Sequence, residues 1–299
     1  MPPEDARDVA PADATDADLI VLRPQGLYCP AGDFYIDPWR PVDRAVITHA
    51  HADHARPGHR HYLCSAEGAG LLRARLGDVS VQTLAWGEPI HRQGMRLSLH
   101  PAGHVLGSAQ VRVEYRGQVW VASGDYFCTD SGERNPSCTA FEALHCHCFI
   151  TESTFGLPIY RWRPQAEVLA DINDWWRRNA DVQRPSLLMA YSLGKAQRLL
   201  AGVDASIGPV LVHAAVEPLN RVYRAAGVAM APCLPAAQAV TRDIWSRALI
   251  IAPPAVHGSA WARRFGDFSD AFASGWMQLR GARRRQGVDR GFVLSDHAD

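Results

Sequence analysis

Three imidazoles and one carboxylate lie within six residues of the chain, directly after a short apolar run. The run is Ala45-Val46-Ile47, which predicts a buried strand, and the cluster after it contains His49, His51, Asp53 and His54. On a helix His49 and His51 would point in well-separated directions, whereas on a loop at a sheet edge they can approach one ion. Imidazole together with carboxylate suits zinc or another divalent first-row metal. The pattern therefore predicts a sheet whose edge carries a metal-binding loop, with a polar, His-rich surface loop as the alternative.

Two later segments supply further ligands, which a catalytic zinc needs because it rarely draws on one segment alone. His104 stands in a glycine-flanked loop just before the alternating strand 111–115, and Asp125 follows the apolar strand 119–122. Taken singly, His104 fits an ordinary loop and Asp125 fits an ordinary turn. Beside the first cluster, both become candidate metal ligands.

The order of these residues, HxHxDH, then GH, then GD at strand ends, resembles the metallo-β-lactamase superfamily. The resemblance implies an α/β protein built as an αββα sandwich, with two zinc ions at its site and Mn²⁺ as an alternative. Carried over residue by residue, it assigns the first ion to His49, His51 and His104. It assigns the second ion to Asp53 and His54, with Asp125 bridging the two.

Composition limits the partners that the chain can have. Its 299 residues carry a formal net charge of zero, so any nucleic-acid site must be local and not a diffuse basic field. A hydrophobic share of 47% allows a substantial core, and the length allows two domains. No apolar run approaches the roughly 18 residues of a membrane-spanning helix. Seven cysteines, an odd number without a secretory segment before them, favour reduced thiols and a cytoplasmic location.

The pattern along the chain predicts four segments. Residues 1–17 are rich in Asp, Ala and Pro and predict a disordered tail. Residues 18–160 consist mainly of short strand patterns broken by Gly and Pro. Residues 161–285 alternate strands with helices, which predicts a parallel sheet in an inserted domain. Residues 286–299 contain the strand Gly291–Leu294, which we expect to rejoin the first domain.

Individual elements can be placed within these segments. One helix is expected near Ala66–Leu76 in the first domain. An amphipathic helix is expected from the helical spacing of its apolar residues Val168, Leu169, Ile172, Trp175 and Trp176. Both tryptophans are therefore expected in the core and not on a base-stacking surface. The further expected elements are strands Ser186–Ala190, Pro209–His213 and Leu249–Ala252, a helix from about Leu193 and another at about Glu217–Ala226.

Further segments resemble the β-CASP branch of the superfamily, whose members are nucleases of DNA and RNA. Thr151–Gly156 is similar to the acidic motif that opens the β-CASP domain, Tyr191–Gln197 to a helix start within it, and Ser295–Asp299 to the SxHxD segment. Gly26–Pro30 and Ala273–Met277 are similar to the bacterial ligase-associated DNA exonucleases. The resemblance implies a DNA exonuclease of DNA repair, with an ATP-dependent DNA ligase and a Lhr-type helicase as partners.

The same resemblance implies the catalytic residues Asp53, Glu152 and His297. A protonated His297 would donate to the leaving oxygen, and Glu152 would keep it charged and oriented. Taken alone, His297 fits a frayed terminus and Glu152 fits a surface acid. Ser192 and Lys195 stand where a strand meets a helix N-terminus, which makes them candidate contacts to a substrate phosphate.

One departure from the family pattern concerns the last metal ligand. The family has a further His in a VHG-like context beyond the SxHxD segment, whereas this sequence stops at Asp299. His213 and His257 have similar surroundings but precede Ser295, so neither is expected to bind metal. We therefore expect a truncated chain, or a second metal site that lacks a ligand.

Four functions remain open on these residues. The first is a DNA exonuclease, and the second is an RNA-processing enzyme of the same chemistry, because a metal site reads only phosphate. The third is a small-molecule metallohydrolase, against which the inserted domain argues. The fourth is a non-catalytic subunit of a repair complex, against which the intact HxHxDH motif argues. The run Arg283–Arg285 is a candidate contact to a nucleic-acid backbone, with a solvated basic face as its alternative.

Overall fold

The computed structural model describes residues 18–129, 131–239, 241–279, 281 and 287–298. The predicted tail 1–17, the arginine run 283–285 and Asp299 lie outside the described residues. The described part of the chain is a mixed α/β protein with three sheets. Two sheets belong to a first unit, and the third belongs to a second unit later in the chain.

Six short strands form the first sheet in sequence order. They are β1 Val21–Arg23, β2 Gly26–Cys29, β3 Phe34–Ile36, β4 Arg44–Val46, β5 His61–Ser65 and β6 Val81–Leu84. The pairs from β1 to β3 are antiparallel, and those from β3 to β6 are parallel. The residues after β3 and β4 therefore leave the same edge of this sheet.

Five strands form the second sheet, in the order β11-β10-β9-β8-β7. They are β7 Ile90–Arg92, β8 Met95–Pro101, β9 Ala109–Tyr115, β10 Gln118–Ala122 and β11 Cys148–Ile150. The first four pair as antiparallel neighbours, whereas β10 and β11 are parallel. The chain thus leaves β10 and β11 at a common edge.

These two sheets pack face to face around one core. Alternate residues point inwards, as Leu97 and Leu99 do in β8 and Val111 and Val113 do in β9. Helix α1, Ala69–Leu76, packs against the other face of the first sheet and confirms the predicted helix. The arrangement contains the two sheet layers and one helical layer of the sandwich that was expected from the sequence.

The third sheet is entirely parallel, in the order β14-β13-β15-β12-β16-β17. Its strands are β12 Ser186–Met189, β13 Val210–Val212, β14 Leu234–Pro235, β15 Leu249–Ala252, β16 Ser269–Ala273 and β17 Arg290–Phe292. Its helices are α2 Gln165–Asp181, α3 Lys195–Leu200, α4 Glu217–Ala225, α5 Arg242–Trp245 and α6 Ala260–Arg263. Short 3₁₀ turns span Ala236–Gln238, Pro254–Val256 and Gly275–Gln278.

Helices cover both faces of this sheet. Leu188 of β12 joins the core under α2 and α3, whereas its neighbour Leu187 joins the core on the α6 side. Trp175 and Trp176 lie in α2 and are almost fully buried, which confirms that these rings belong to the core. Strands buried on both faces read as continuous apolar runs, as β12 and β15 do.

The last strand differs from its prediction. β17 does not pair with the first unit but adds to the third sheet, in parallel with β16. A strand of three residues, of which only Phe292 is buried, does not specify its neighbour, and β16 offers it an open edge. The residues after β17 do return to the first unit, where the Asp296 carbonyl accepts a hydrogen bond of 2.7 Å from His104 Nδ1.

The two units meet along an apolar contact. Leu106 of the first unit packs with Leu193, Leu219 and Tyr223 of the second. The Tyr223 hydroxyl also accepts a hydrogen bond from the backbone nitrogen of Leu106 at 3.2 Å. Among the described residues, no helix is both long and apolar enough to cross a membrane.

Candidate metal centre

The loop after β4 carries the first histidines of the site. A tight turn forms within it, because the carbonyl of His51 accepts hydrogen bonds from the backbone of His54 and Ala55. His49 is buried in this loop, and His51 is partly buried. The turn therefore directs two imidazoles inwards from one short segment, as the HxH spacing predicts.

Four ligand atoms from three loops converge at this edge, within 4.8 Å of one another. His49 Nε2 lies 3.0 Å from His51 Nδ1, and His104 Nε2 lies 3.2 Å from the same atom. Asp125 Oδ2 lies 3.7 Å from His49 Nε2 and 3.9 Å from His104 Nε2. The structure thus brings together the three histidines and the aspartate that the sequence motif assigned to one metal.

Glycines allow the loop of His104 to approach its neighbours. Gly103 and Gly107 both have positive φ values, 76° and 70°. A Cβ on Gly107 would overlap the backbone nitrogen of Gly68, and one on Gly103 would lie 2.6 Å from the Phe127 carbonyl oxygen. The glycines that flank His104 are therefore required both for backbone conformation and for close packing.

The proton on His49 is placed by a chain of hydrogen bonds. The Thr48 hydroxyl donates its one hydrogen to the Asp37 carboxylate. Its oxygen must then accept from His49 Nδ1, which lies 3.1 Å away. With Nδ1 protonated, His49 presents an unprotonated Nε2 to the cluster.

Backbone carbonyls place the protons of the other two rings. His51 Nε2 donates to the Leu193 carbonyl at 3.1 Å, and His104 Nδ1 donates to the Asp296 carbonyl at 2.7 Å. The remaining nitrogens, His51 Nδ1 and His104 Nε2, are therefore unprotonated and face each other without a hydrogen between them. Three converging lone pairs repel unless a cation lies among them. Ligands about 2.0–2.1 Å from a tetrahedral zinc ion would lie roughly 3.3 Å apart, which fits this spacing.

The electrostatics of the cluster favour neutral imidazoles and a charged carboxylate. Burial lowers the pKa of His49 and of His51, and it lowers that of His104 to about 3. Burial would raise the pKa of Asp125, but the hydrogen bond and positive charge of His54 outweigh it and lower that pKa well below its usual range. Neutral imidazole and ionised carboxylate are the forms that bind metal.

The residues predicted for a second ion lie beside this cluster but converge less closely. His54 Nε2 is 3.4 Å from Asp125 Oδ1 and 3.8 Å from Asp53 Oδ2. Its Nδ1 donates to Asp37 Oδ2 at 2.7 Å. Burial alone would lower the pKa of His54, but the carboxylates of Asp37 and Asp125 outweigh it and raise that pKa to about 11. The Asp53 side chain is 75% exposed, so it is free to turn toward a ligand.

Glu152 and His297 form a pair next to the cluster. Glu152 Oε1 lies 2.8 Å from His297 Nδ1, although the two residues are 145 positions apart in the sequence. Burial alone would raise the pKa of Glu152 and lower that of His297. Their contact outweighs burial, because His297 lowers the pKa of Glu152, and Glu152 together with Asp296 raises that of His297. The His297 ring lies 4.6 Å from that of His104. The pair therefore holds a protonated imidazole beside the metal ligands.

Helix α3 holds the segment that carries His297. Lys195 Nζ donates to Asp296 Oδ1 at 2.7 Å and to the Leu294 carbonyl at 2.9 Å. The buried Arg198 donates to the Ser295 carbonyl. Lys195, a predicted substrate contact, is 2% exposed and already paired within the protein, while Ser192 is partly exposed at the start of the same turn.

Sequence reasoning missed two residues of this site. Asp37 follows β3 and accepts hydrogen bonds from His54 and from both the backbone and hydroxyl of Thr48. A carboxylate directly after a strand that is parallel to β4 was the available signal. Asp296 had been assigned no role of its own. His213 and His257 lie in the second unit, where His213 packs on Trp261 and His257 faces Asp270.

A cavity of about 470 Å³ opens beside the cluster. It lies at the carboxyl ends of β12, β16 and β17, the edge at which open parallel sheets bind ligands. Its walls combine residues of both units, including Asp53, Asp125, Tyr191, Trp276 and His297. A substrate in this cavity would contact His51, Asp125 and the His297 imidazole together.

Comparisons with known proteins identify relatives in sequence and one solved structure with a similar fold. The chain is 35% identical over 278 residues to a probable DNA ligase of Opitutus terrae, a match that covers 92% of this chain and 26% of that protein. It is 31% identical over 112 residues to the endoribonuclease ysh-1 of Neurospora crassa and 26% identical over 126 residues to the endoribonuclease YSH1 of Saccharomyces cerevisiae. These matches cover 37% and 42% of this chain but 13% and 15% of the relatives.

The chain thus spans about a quarter of the first relative and less of the others. No protein-family model matches the sequence. A crystal structure of a protein of unknown function from Enterococcus faecalis V583 has a similar fold, with a TM-score of 0.52 over 85% of this chain and 70% of that one, at 10% identity. The chain therefore has relatives that are named for processing nucleic acids, together with residue groups that could hold a metal.

Proposed function

We propose that this chain is a zinc-dependent nuclease of the β-CASP branch of the metallo-β-lactamase superfamily, and specifically a DNA exonuclease of DNA repair. The observation that carries the proposal is the convergence of His49, His51, His104 and Asp125, with three unprotonated nitrogens facing one point. The packed sheets and the later α/β unit, which begins near residue 161, agree with the architecture expected for that branch.

His49, His51, His104 and Asp125 would hold the first zinc ion, and the donor set fits because it is neutral imidazole plus ionised carboxylate. His54 and Asp53 would hold a second ion through Asp125, with Mn²⁺ as an alternative metal. When bound, such a metal supplies Lewis-acid activation of a phosphate oxygen and lowers the pKa of water.

The residues of the chain itself would control the leaving group. His297 holds a proton beside the cavity, and Glu152 fixes the ring through its Nδ1. The Nε2 atom of His297 would then donate to the leaving oxygen of the phosphodiester, which is general-acid catalysis. Asp53, at the rim of the same cavity, would complete the set of catalytic residues.

The name of one relative supports the substrate and the setting. The probable DNA ligase of Opitutus terrae matches nearly the whole of this chain over a quarter of its own length. That similarity supports an association with an ATP-dependent DNA ligase, in one polypeptide or in one complex. A Lhr-type helicase partner rests on the family resemblance alone.

The test is degradation of end-labelled single-stranded DNA by the full chain, with zinc or manganese added. We expect a ladder that shortens from one end, which Asp125→Ala abolishes because that carboxylate contacts both proposed metal positions. The matched control is Asp43→Ala, an aspartate on the surface that pairs with arginines away from the cluster. Absence of cleavage by the metal-loaded wild-type chain would refute the proposal.

An RNA-processing nuclease is the second candidate, because the fungal relatives are named endoribonucleases. A metal held at this cluster would contact phosphate in either nucleic acid, so the cluster does not discriminate between DNA and RNA. DNA and RNA strands of one sequence, labelled at either end, separate the candidates. A strong preference for RNA with internal cuts would favour the second candidate over the first.

A further inference from the structure

Three aromatic residues line the cavity beside the metal cluster, the buried Phe155 and two exposed rings that the proposed chemistry does not use. Tyr191 follows β12, and Trp276 follows β16, so both lie at the carboxyl edge of the third sheet. Tyr191 is 48% exposed and Trp276 is 40% exposed, whereas Trp175 and Trp176 of the same unit are buried. Exposed aromatic rings that line one cavity are candidates for contact with a ligand.

Trp276 is held as a rigid surface from behind. Its ring lies 4.9 Å from that of Phe155 and 6.0 Å from that of Tyr160, at steep angles to both. Gly275 lies against this group, since a Cβ there would approach the Phe155 ring to 2.6 Å. The indole is thus fixed before any ligand arrives, which reduces the entropy lost on binding.

Tyr191 is supported in a similar way. Its ring meets the buried Phe272 at 6.1 Å, at a steep angle. Burial of the hydroxyl and the nearby Asp296 raise its pKa, so the phenol stays neutral. Two neutral, fixed aromatic surfaces therefore line one cavity next to the metal ligands.

The charges of the cavity do not favour a phosphate backbone alone. Besides the protonated His297, Lys195 is the one cationic side chain among its lining residues, and it is paired with Asp296. Affinity on this side of the metal cluster therefore does not rest on phosphate pairing alone. Stacking of bases on aromatic rings is such a contact, and it tolerates any sequence because every base has a π-face.

On the basis of the proposed nuclease function, we propose that this cavity binds the bases of single-stranded nucleic acid, stacked on Trp276 and Tyr191. Bases in a duplex are already stacked and paired, so the two rings select unpaired ends. Stacking on these two rings requires no hydrogen bonds to the edges of the bases. Trp276 and Tyr191 are thus specificity-determining residues for strand form, and not for sequence.

The experiment measures the affinity of the metal-loaded full chain for a thymidine octamer with phosphorothioate linkages, and for an abasic octamer with the same backbone. Trp276→Leu and Tyr191→Leu keep an apolar side chain but remove the ring, and Trp276→Phe and Tyr191→Phe keep a ring. We expect each leucine variant to bind the thymidine strand about tenfold more weakly, with the phenylalanine variants close to wild type. We expect the abasic strand, which loses stacking on both rings, to bind wild type about a hundredfold more weakly and to lose nothing further in the leucine variants.

Leucine variants that bind the thymidine strand as tightly as wild type would overturn the proposal. Equal affinity of the wild-type chain for both strands would also overturn it, and this arm needs no variant to fold. Cleavage of an ordinary thymidine strand by wild type, measured in parallel, tests the nuclease function separately. Ring-dependent binding without cleavage would leave the base site standing and refute the nuclease, whereas cleavage without ring dependence would do the reverse.

Discussion

At the scale of single residues, the site depends on groups that place protons on the histidines. Asp37 is the clearest example, because it orients His54 directly and His49 through Thr48. Its backbone has a φ of 42°, in a region that aspartate and asparagine tolerate better than most residues. Groups of this kind commonly set how tightly a metal is held.

Asp37→Asn should weaken zinc binding about 10- to 100-fold, because an amide cannot accept from His54 and from both donors of Thr48. Competition with a chromophoric chelator measures the dissociation constant. Asp43→Asn, a nearby surface aspartate, is the control and should leave it unchanged. Equal zinc affinity of Asp37→Asn and wild type would contradict the proposed role.

Gly107→Ala should lower the free energy of unfolding by about 3 kcal/mol or more, since a Cβ there overlaps the backbone of Gly68. Urea denaturation measures the change. Gly117→Ala is the matched control, because Gly117 also has a positive φ of 79°, but no atom lies within 4 Å of the position that its methyl group would take. It should cost only about 1–2 kcal/mol of backbone strain. Equal losses in the two variants would refute the packing argument.

At the scale of elements, strand ends gather the site and one helix fixes its last segment. His49, Asp125 and Glu152 each follow a strand of the first unit, and His297 follows β17 of the second. Lys195 and Arg198 of α3 hold the segment between β17 and His297 through Asp296 and two carbonyls. Because the Asp296 carbonyl also accepts from His104, α3 supports a metal ligand through one intermediate residue.

Lys195→Met should leave a buried Asp296 carboxylate without its partner, at a cost of about 3–5 kcal/mol in the free energy of unfolding. Burial lowers the pKa of Lys195 to about 8 despite Asp296, so the pair is at its strongest below that pH. Zinc affinity should fall as well, and KM for single-stranded DNA should change little. Denaturation, chelator competition and kinetics measure the three quantities.

The control for this variant is Arg221→Met, which removes an exposed pair with Glu217 and should cost at most about 1 kcal/mol. The sequence alone predicted the opposite pattern for Lys195, a raised KM with unchanged zinc content. That pattern, if observed, would show that the ammonium contacts substrate and would refute the supporting role.

At the scale of the whole molecule, the site is shared between the two units. His51 donates to the Leu193 carbonyl, which follows β12, and His104 donates to the Asp296 carbonyl, which follows β17, so these two ligands are held by chain that leaves strands of the second unit. Leu106, Leu193 and Tyr223 bury the contact beside them. A metal bound at the cluster would therefore stabilise both units.

Zinc should raise the unfolding temperature of both units in one transition. At a free concentration of about 1,000 times the dissociation constant, the stabilisation is about 4 kcal/mol. Calorimetry with and without zinc measures it, and the His104→Ala variant should show no shift. Two transitions, of which zinc moves only one, would contradict a shared site.

The sequence predicted the site better than the connections that support it. His49 to His54 are local in sequence, and Asp125 follows a strong strand pattern, so both could be identified directly. Asp37 could have been found from the strand before it, but a lone aspartate before proline carries a weak signal. The pair of Lys195 with Asp296 joins residues 101 positions apart, and no periodicity reports such a contact. β17 was assigned to the wrong sheet because three residues do not specify a neighbour.

The central claim is that His49, His51, His104 and Asp125 hold a divalent metal. The most direct measurement is the zinc content of the full chain after dialysis against zinc and then buffer, determined by mass spectrometry for wild type, His104→Ala and His257→Ala. We expect at least one tightly bound zinc ion per chain in wild type and in His257→Ala, whose ring faces Asp270 away from the cluster, and loss of that ion in His104→Ala. A wild-type chain that retains no zinc, or a His104→Ala variant that retains all of it, would contradict the claim.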